Sequence, residues 1–259
     1  MLKMILANLL RGPATTAFPR RPAEFPERFR GRPELDASRC ENGLARCGAM
    51  SPSRLVVQSS KGANLDLGGC LFSPEEASAC PQGAIRYTRD PRMAATRRED
   101  LITPGGEPAA VRALQGATRR LFGRSLRLRS VVAGSCGGCE AELVALGNVV
   151  FDLQRFGVQF VASPRHADGV VITGAVNANM ELALRKSIDA VPDPRLVIAV
   201  GACAISGGPF AGSPEVGKGV PADLPVDLWV PGCPPHPITL LDGLLRLLGR
   251  LENGSRDRA

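Results

Sequence analysis

The amino-acid sequence predicts an α/β protein: a doubly wound parallel sheet over residues 125–250, preceded by a small α+β region at 40–90. Three observations carry this. Five stretches rich in Val and Ile alternate with helical patterns in the carboxyl-terminal half, the alternation expected of βαβ units. The central stretches are apolar nearly throughout, as strands covered on both faces must be. Before residue 90 the elements are shorter and punctuated by Gly and Pro, which marks turns rather than long crossovers.

Each element follows in order. Residues 1–39 form a basic leader rich in Pro and Arg (PATTAFPRRPAEFPERFRGRP), expected to run extended over a surface. Residues 40–90 make up the small region. Residues 91–124 are an Arg-rich linker, with a short helix at about 108–122. The strands are then SLRLRSVVAG (125–134), GVQFVAS (157–163), DGVVITGAV (168–176), RLVIAVGAC (195–203) and DLWVPGC (227–233). Helices are expected at about 140–156, 178–190 and 236–250, and 251–259 is a tail. Aromatic residues make up only 4% of the chain, so Val, Leu, Ile and Ala must fill the core.

The chain has 259 residues and a formal net charge of +7, unevenly spread. Residues 86–130 carry eleven basic and four acidic side chains, whereas residues 131–259 carry ten basic and thirteen acidic. Basic tracts attract nucleic acid, anionic lipid or acidic partners. No nucleic-acid motif or set of stacking aromatics accompanies this one, so partner proteins or a membrane surface are expected. No apolar run approaches the roughly 20 residues of a membrane helix. The start, MLKMILANLL, has no small-residue cleavage site, so a cytoplasmic protein without a signal peptide is expected.

Eight cysteines in such a chain argue against a disulfide framework. Cys136 and Cys139 follow the first predicted strand, Cys203 ends the fourth and Cys233 ends the fifth. In open parallel sheets ligands bind beyond the carboxyl ends of the strands, so all four thiols fall on one edge. SCGGCE, GACAISGG and PGCPPHP surround them with Gly and Pro, and Gly lets backbone N–H groups approach sulfur closely. Four thiolates suit tetrahedral zinc or a [4Fe–4S] cube. One pair plus two distant single cysteines fits the cube better than the paired knuckles usual for zinc.

SCGGCEAEL, SPRHADGVVITG, PDPRLVIAVGACAISGG and VPGCPPHP together resemble the small electron-transfer subunit of group 4 membrane-bound [NiFe] hydrogenases, the formate-hydrogenlyase type. That subunit is similar to the 20 kDa subunit of respiratory complex I. The resemblance covers about 125–250 and implies a flavodoxin-like sheet. It also implies one [4Fe–4S] cluster on Cys136, Cys139, Cys203 and Cys233, electron exchange with a large subunit, and no catalytic residue in this chain. Two glycines separate the first cysteine pair, as in the hydrogenases; in the complex I branch that pair is adjacent. The implied place is peripheral, on the inner face of the cell membrane, beside the large subunit and membrane-arm subunits. A complex I-like quinone oxidoreductase without nickel is the alternative, and a cluster-free or zinc-bearing assembly scaffold is another.

Other residues of these motifs have two readings each. Glu140 and Glu142 open a helix, where acidic side chains favour the dipole; either could instead face the large subunit. Arg165 and His166 sit in a turn that is solvated or, as the resemblance implies, subunit-facing. His236 is read as a helix-start residue, since four cysteines already complete a site.

The amino-terminal third resembles the two-cluster ferredoxin subunit of the same complexes, so the chain looks like a fusion of two neighbouring subunits. The pattern C-x2-C-x2-C-x3-C-P, given twice, is eroded here. The first copy keeps Cys40 and then reads Gly43, Arg46 and Met50; the second reads Cys70, Ser73, Glu76 and Cys80. Cys47 is off register. A degenerate ferredoxin-like domain without clusters is expected at 40–90, although Cys40, Cys47, Cys70 and Cys80 leave a rearranged cluster or a zinc site open.

Overall fold

The computed structural model describes residues 3, 7, 10–39, 53, 55–59, 62–78, 83–134 and 136–251. Cys40, Cys47 and Cys80 lie outside the described residues. The amino-terminal part builds two small antiparallel sheets. β1 (Pro33–Leu35) pairs with β4 (Ile85–Tyr87), while β2 (Val56–Ser59), β3 (Gly62–Asp66) and β5 (Ile102–Thr103) form the other, in the order β2-β3-β5. A one-turn helix, α1 (Pro74–Ser78), lies between β3 and β4. Strands from 33–35 and 102–103 thus join residues on both sides of the 40–90 region.

The carboxyl-terminal part is the predicted parallel sheet. Its strands β6 (Leu126–Val132), β7 (Val158–Phe160), β8 (Gly169–Thr173), β9 (Leu196–Val200) and β10 (Leu228–Val230) lie in the order β10-β9-β8-β6-β7, all parallel. Numbered from the first, that is the flavodoxin-like order 2-1-3-4-5, with its switch point between β6 and β8. β8 and β9 are buried along their whole length, as strands covered on both faces must be.

Alternation sorts the strand residues onto two faces. Val131, Val170, Ile172, Val197 and Ala199 point into one buried layer, which also holds Leu184 and Ile188 of α4 (Ala178–Asp189) and Leu55, Leu65, Leu67, Cys70 and Leu101 of the amino-terminal sheets. Leu128, Val171, Ile198 and Val200 point into the other. There they meet Leu143 of α3 (Gly138–Ala145) and Leu240, Leu241 and Leu244 of α6 (Pro237–Leu247). The amino-terminal sheets therefore cover one face of the main sheet within a continuous core. Residues 91–124 are packed as well. Met93 and Ala95 enter the first layer, and Ala94, Val111 and Phe122 the second. Ala95 also bridges Trp229 on the edge strand, N–H to carbonyl in both directions at 3.0 and 2.8 Å.

Ile172 has no exposed surface and sits mid-strand in β8. Ile172→Ala is expected to cost about 2–5 kcal/mol through lost burial and an unfilled cavity. The check is a lower urea midpoint at unchanged slope; an unmoved midpoint would mean that the central strand is not the core.

Several expected elements are shorter in the structure, two of them for a clear local reason. The helix expected at 140–156 stops at Ala145. Asn148 Oδ1 instead accepts the Val150 and Phe151 N–H groups at 2.8 and 3.1 Å, and Asp152 adopts φ 46°. The strand expected at 195–203 ends at Val200, because Gly201 turns at φ 89° into α5 (Gly201–Ser206). Cys203 therefore lies on a helix. The helix expected at 108–122 is confined to α2 (Gly116–Phe122).

Candidate metal centre

The carboxyl ends of β6, β9 and β10 each hand over to a glycine-bearing turn. After β6, Gly134 and Gly137 take φ 98° and 85°, and the chain then enters α3. This places Cys136 in an exposed loop and Cys139, buried, in the first helical turn. After β9 the Gly201 turn starts α5, and Cys203 is buried on it. After β10, Gly232 precedes Cys233, which is exposed.

The glycines leave room for sulfur. A Cβ on Gly201 would stand 2.5 Å from Cys139 Sγ, one on Gly208 would stand 2.8 Å from Cys203 Sγ, and one on Gly138 would stand 3.6 Å from Cys136 Sγ. The first two distances are closer than any real side chain tolerates, so backbone alone fits against those sulfurs.

Electrostatics ties the four thiols into one group. Burial pushes the Cys139 thiol well up, with Glu140 and the other three thiols pushing the same way. Burial, then Cys233, Cys136 and Glu140, push Cys203 up to about 11. Burial raises Cys233 too, followed by Cys136 and Glu76. Burial thus opposes ionisation of Cys139, Cys203 and Cys233, and a bound cation would offset it. Among the described residues no three of His, Cys, Asp and Glu stand close enough to hold a single ion.

The other expected residues divide. Thr173 Oγ1, at the end of β8, donates to Glu140 Oε1, tying α3 to the sheet beside Cys139. Glu140 also borders a groove of about 340 Å³ lined by Ser130, Leu143, Val144 and Phe160. Glu142 is half-buried, and burial pushes its carboxyl up. The helix is capped at Gly137 without a side-chain hydrogen bond. Arg165 and His166 are exposed in a 3-10 turn (Pro164–His166). That turn precedes β8 and sits level with the start of β6, since Asp168 N–H donates to Arg127 O at 2.7 Å. They therefore lie at the opposite end of the strands from the cysteines. His236 caps α6, its Nδ1 accepting the Ile238 N–H at 3.1 Å.

Two features escaped sequence reasoning. The leader packs Phe25 and Phe29 against the His236 ring, with centroids 5.2 and 5.3 Å away. It is anchored where Thr16 N–H donates to Val150 O at 2.8 Å and Arg155 donates to Thr16 O and Phe18 O at 2.9 and 2.7 Å. The second is a buried trio of Cys70, Glu76 and Tyr87. The two Phe-Pro pairs of the leader, at Phe18 and Phe25, were the sequence signal for the first, and nothing local signalled the second.

Residues 136–247 match the family described as NADH ubiquinone oxidoreductase, 20 Kd subunit. The chain is 44% identical over 119 residues to an NADH-quinone oxidoreductase subunit of Heliobacterium modesticaldum, covering 46% of this chain and 68% of that one. It is 40% identical over 132 residues to the probable membrane-bound hydrogenase subunit mbhJ of Pyrococcus furiosus, covering 51% and 79%. Formate hydrogenlyase subunit 7 of Escherichia coli is 38% identical over 143 residues, covering 55% and 56%. By its cysteine-bearing sheet edge and these likenesses, the chain belongs to the NADH ubiquinone oxidoreductase 20 Kd subunit family.

Proposed function

We propose that the chain is the electron-transfer subunit of a membrane-associated [NiFe]-hydrogenase-like complex of the formate-hydrogenlyase type. It would carry one [4Fe–4S] cluster on Cys136, Cys139, Cys203 and Cys233. The observation that carries this is the gathering of four thiols from three strand ends, with glycine backbone pressed against the sulfurs. Four thiolates are a ligand set that a [4Fe–4S] cube takes. When bound, the cluster supplies reversible one-electron transfer. The chain's own residues hold it: Cys139 and Cys203 from buried helical turns, Cys136 and Cys233 from exposed loops on the side open to a partner.

The C-G-G-C spacing of Cys136 and Cys139 favours the hydrogenase branch. A second reading, a complex I-like quinone oxidoreductase without nickel, is supported by the 44% identity to the NADH-quinone oxidoreductase relative from Heliobacterium modesticaldum. Nickel in the large subunit separates the two. Among the described residues no helix is long and apolar enough to cross a membrane, so we read membrane association as peripheral, on the cytoplasmic side, through the partner subunits. Residues 40–90 are read as a ferredoxin-like remnant without clusters. Cys70 supports this, being fully buried and held by Glu76.

Anaerobic purification with the native partners, followed by Fe, Ni and Zn counting, tests both halves. About four Fe on this chain, after the iron of the partner subunits is subtracted, is the expected result for one cube. Eight or more would overturn the remnant reading, and zinc in place of iron would overturn the cluster.

A further inference from the structure

Glu76 is a buried acid, with no exposed surface, on a one-turn helix facing the core. Its Oε1 accepts the Leu71 N–H at 3.0 Å, and its Oε2 accepts from the Cys70 thiol at 3.1 Å and from the Tyr87 hydroxyl. Cys70 Sγ in turn accepts the Phe72 N–H at 3.3 Å. Among the described residues no Lys, Arg or His forms an ion pair with Glu76. Both carboxyl oxygens thus have hydrogen-bond partners, and neither meets a cation. Burial and then Glu76 push the Cys70 thiol well up. Burial, Cys70 and Glu76 do the same to the Tyr87 hydroxyl. Both neighbours thus remain protonated donors.

This trio sits against the cysteine edge. The turn before it presses on α5, where a Cβ on Gly68 would lie 2.5 Å from Ile205 Cγ2. Leu67, Cys70 and Phe72 share a buried layer with Ala204 and Ile205, the residues that follow Cys203. The whole arrangement belongs to the amino-terminal part of the chain, outside the residues that match the family.

We propose that Glu76 is a fixed negative charge placed beside the cysteine site, and that it lowers the reduction potential of the metal centre held there. The inference rests on the cluster reading above. Reduction adds one electron, and hence one negative charge, to the centre. A carboxylate nearby raises the energy of the reduced form without touching it. Inside a protein the attraction or repulsion between charges is felt far more strongly than in water, and salt screens a buried charge little. Glu76 is a tuning residue, not a ligand.

The test is an EPR-monitored redox titration of the whole complex, purified anaerobically and titrated with a one-electron reductant. Glu76→Gln keeps the shape and removes the charge. The midpoint is expected to rise by about 59 mV, which corresponds to roughly a tenfold change in the reduced-to-oxidised ratio. The signal shape should be unchanged, and the shift should persist at high salt. Glu76→Asp, which keeps the charge, should return the midpoint toward the parent value. If the Gln variant loads poorly, Glu76→Gln with Tyr87→Phe removes the hydroxyl facing the new amide and is titrated instead. A parent complex with no cluster signal would overturn the cluster reading itself. A parent with a full signal and a variant with the same midpoint would overturn only the role of Glu76.

Discussion

Replacing Cys203 or Cys233 with Ser is expected to abolish the low-temperature EPR signal of the reduced complex. A serine hydroxyl is a poor substitute for a thiolate toward iron, and in the proposed site each of these residues supplies one ligand. Cys203 is buried on α5, while Cys233 comes from the turn after β10. The two changes therefore test two independently positioned parts of the same site. Cys70→Ser serves as the comparison, because Cys70 is engaged with Glu76 rather than with the other thiols; its variant should keep the signal. An unchanged signal in the Cys203 or Cys233 variant would refute the ligand assignment.

Gly201→Ala should be nearly as damaging, although it removes no ligand. The position adopts φ 89°, and holding an alanine there costs on the order of 1–3 kcal/mol. The added methyl would also stand 2.5 Å from Cys139 Sγ, so the sulfur or the turn must move. The iron content per chain is expected to fall by more than half. The thermal midpoint should drop about 2–4 °C for each kcal/mol in a chain of this size. Gly212→Ala separates the two causes, since Gly212 has φ 101° but nothing within 4 Å of an added Cβ. That variant should lose some stability and keep its iron. Full iron content in Gly201→Ala would show that the turn does not cradle the site.

Much of this was legible in residue order. Runs such as GVVIT and LVIAV carry their own strand signal, and both are buried end to end. The spacing of Cys136 and Cys139, and the placing of Cys203 and Cys233 after strands, put the thiols on one edge from residue order alone. Element ends were harder. Gly201 looked like the continuation of a strand because its neighbours are apolar, and only its positive φ makes it the start of a helix. Arg165 and His166 belong to one of the four motifs quoted with the cysteine loops, yet the register of β8 against β6 carries them to the far end of the sheet.

Glu76 was the least visible of all. In the sequence it stands in SPEEAS, a short polar stretch between Cys70 and Cys80. Its burial depends on Tyr87 from β4, Leu71 from the preceding turn and the packing of Gly68 against α5. The class of the fold and the cysteine edge were determined by the sequence itself, since periodicity and spacing are local properties. The cover that the amino-terminal sheets place over the main sheet, and the burial of Glu76, were decided only by the tertiary structure. They arise from contacts between residues that no local pattern links.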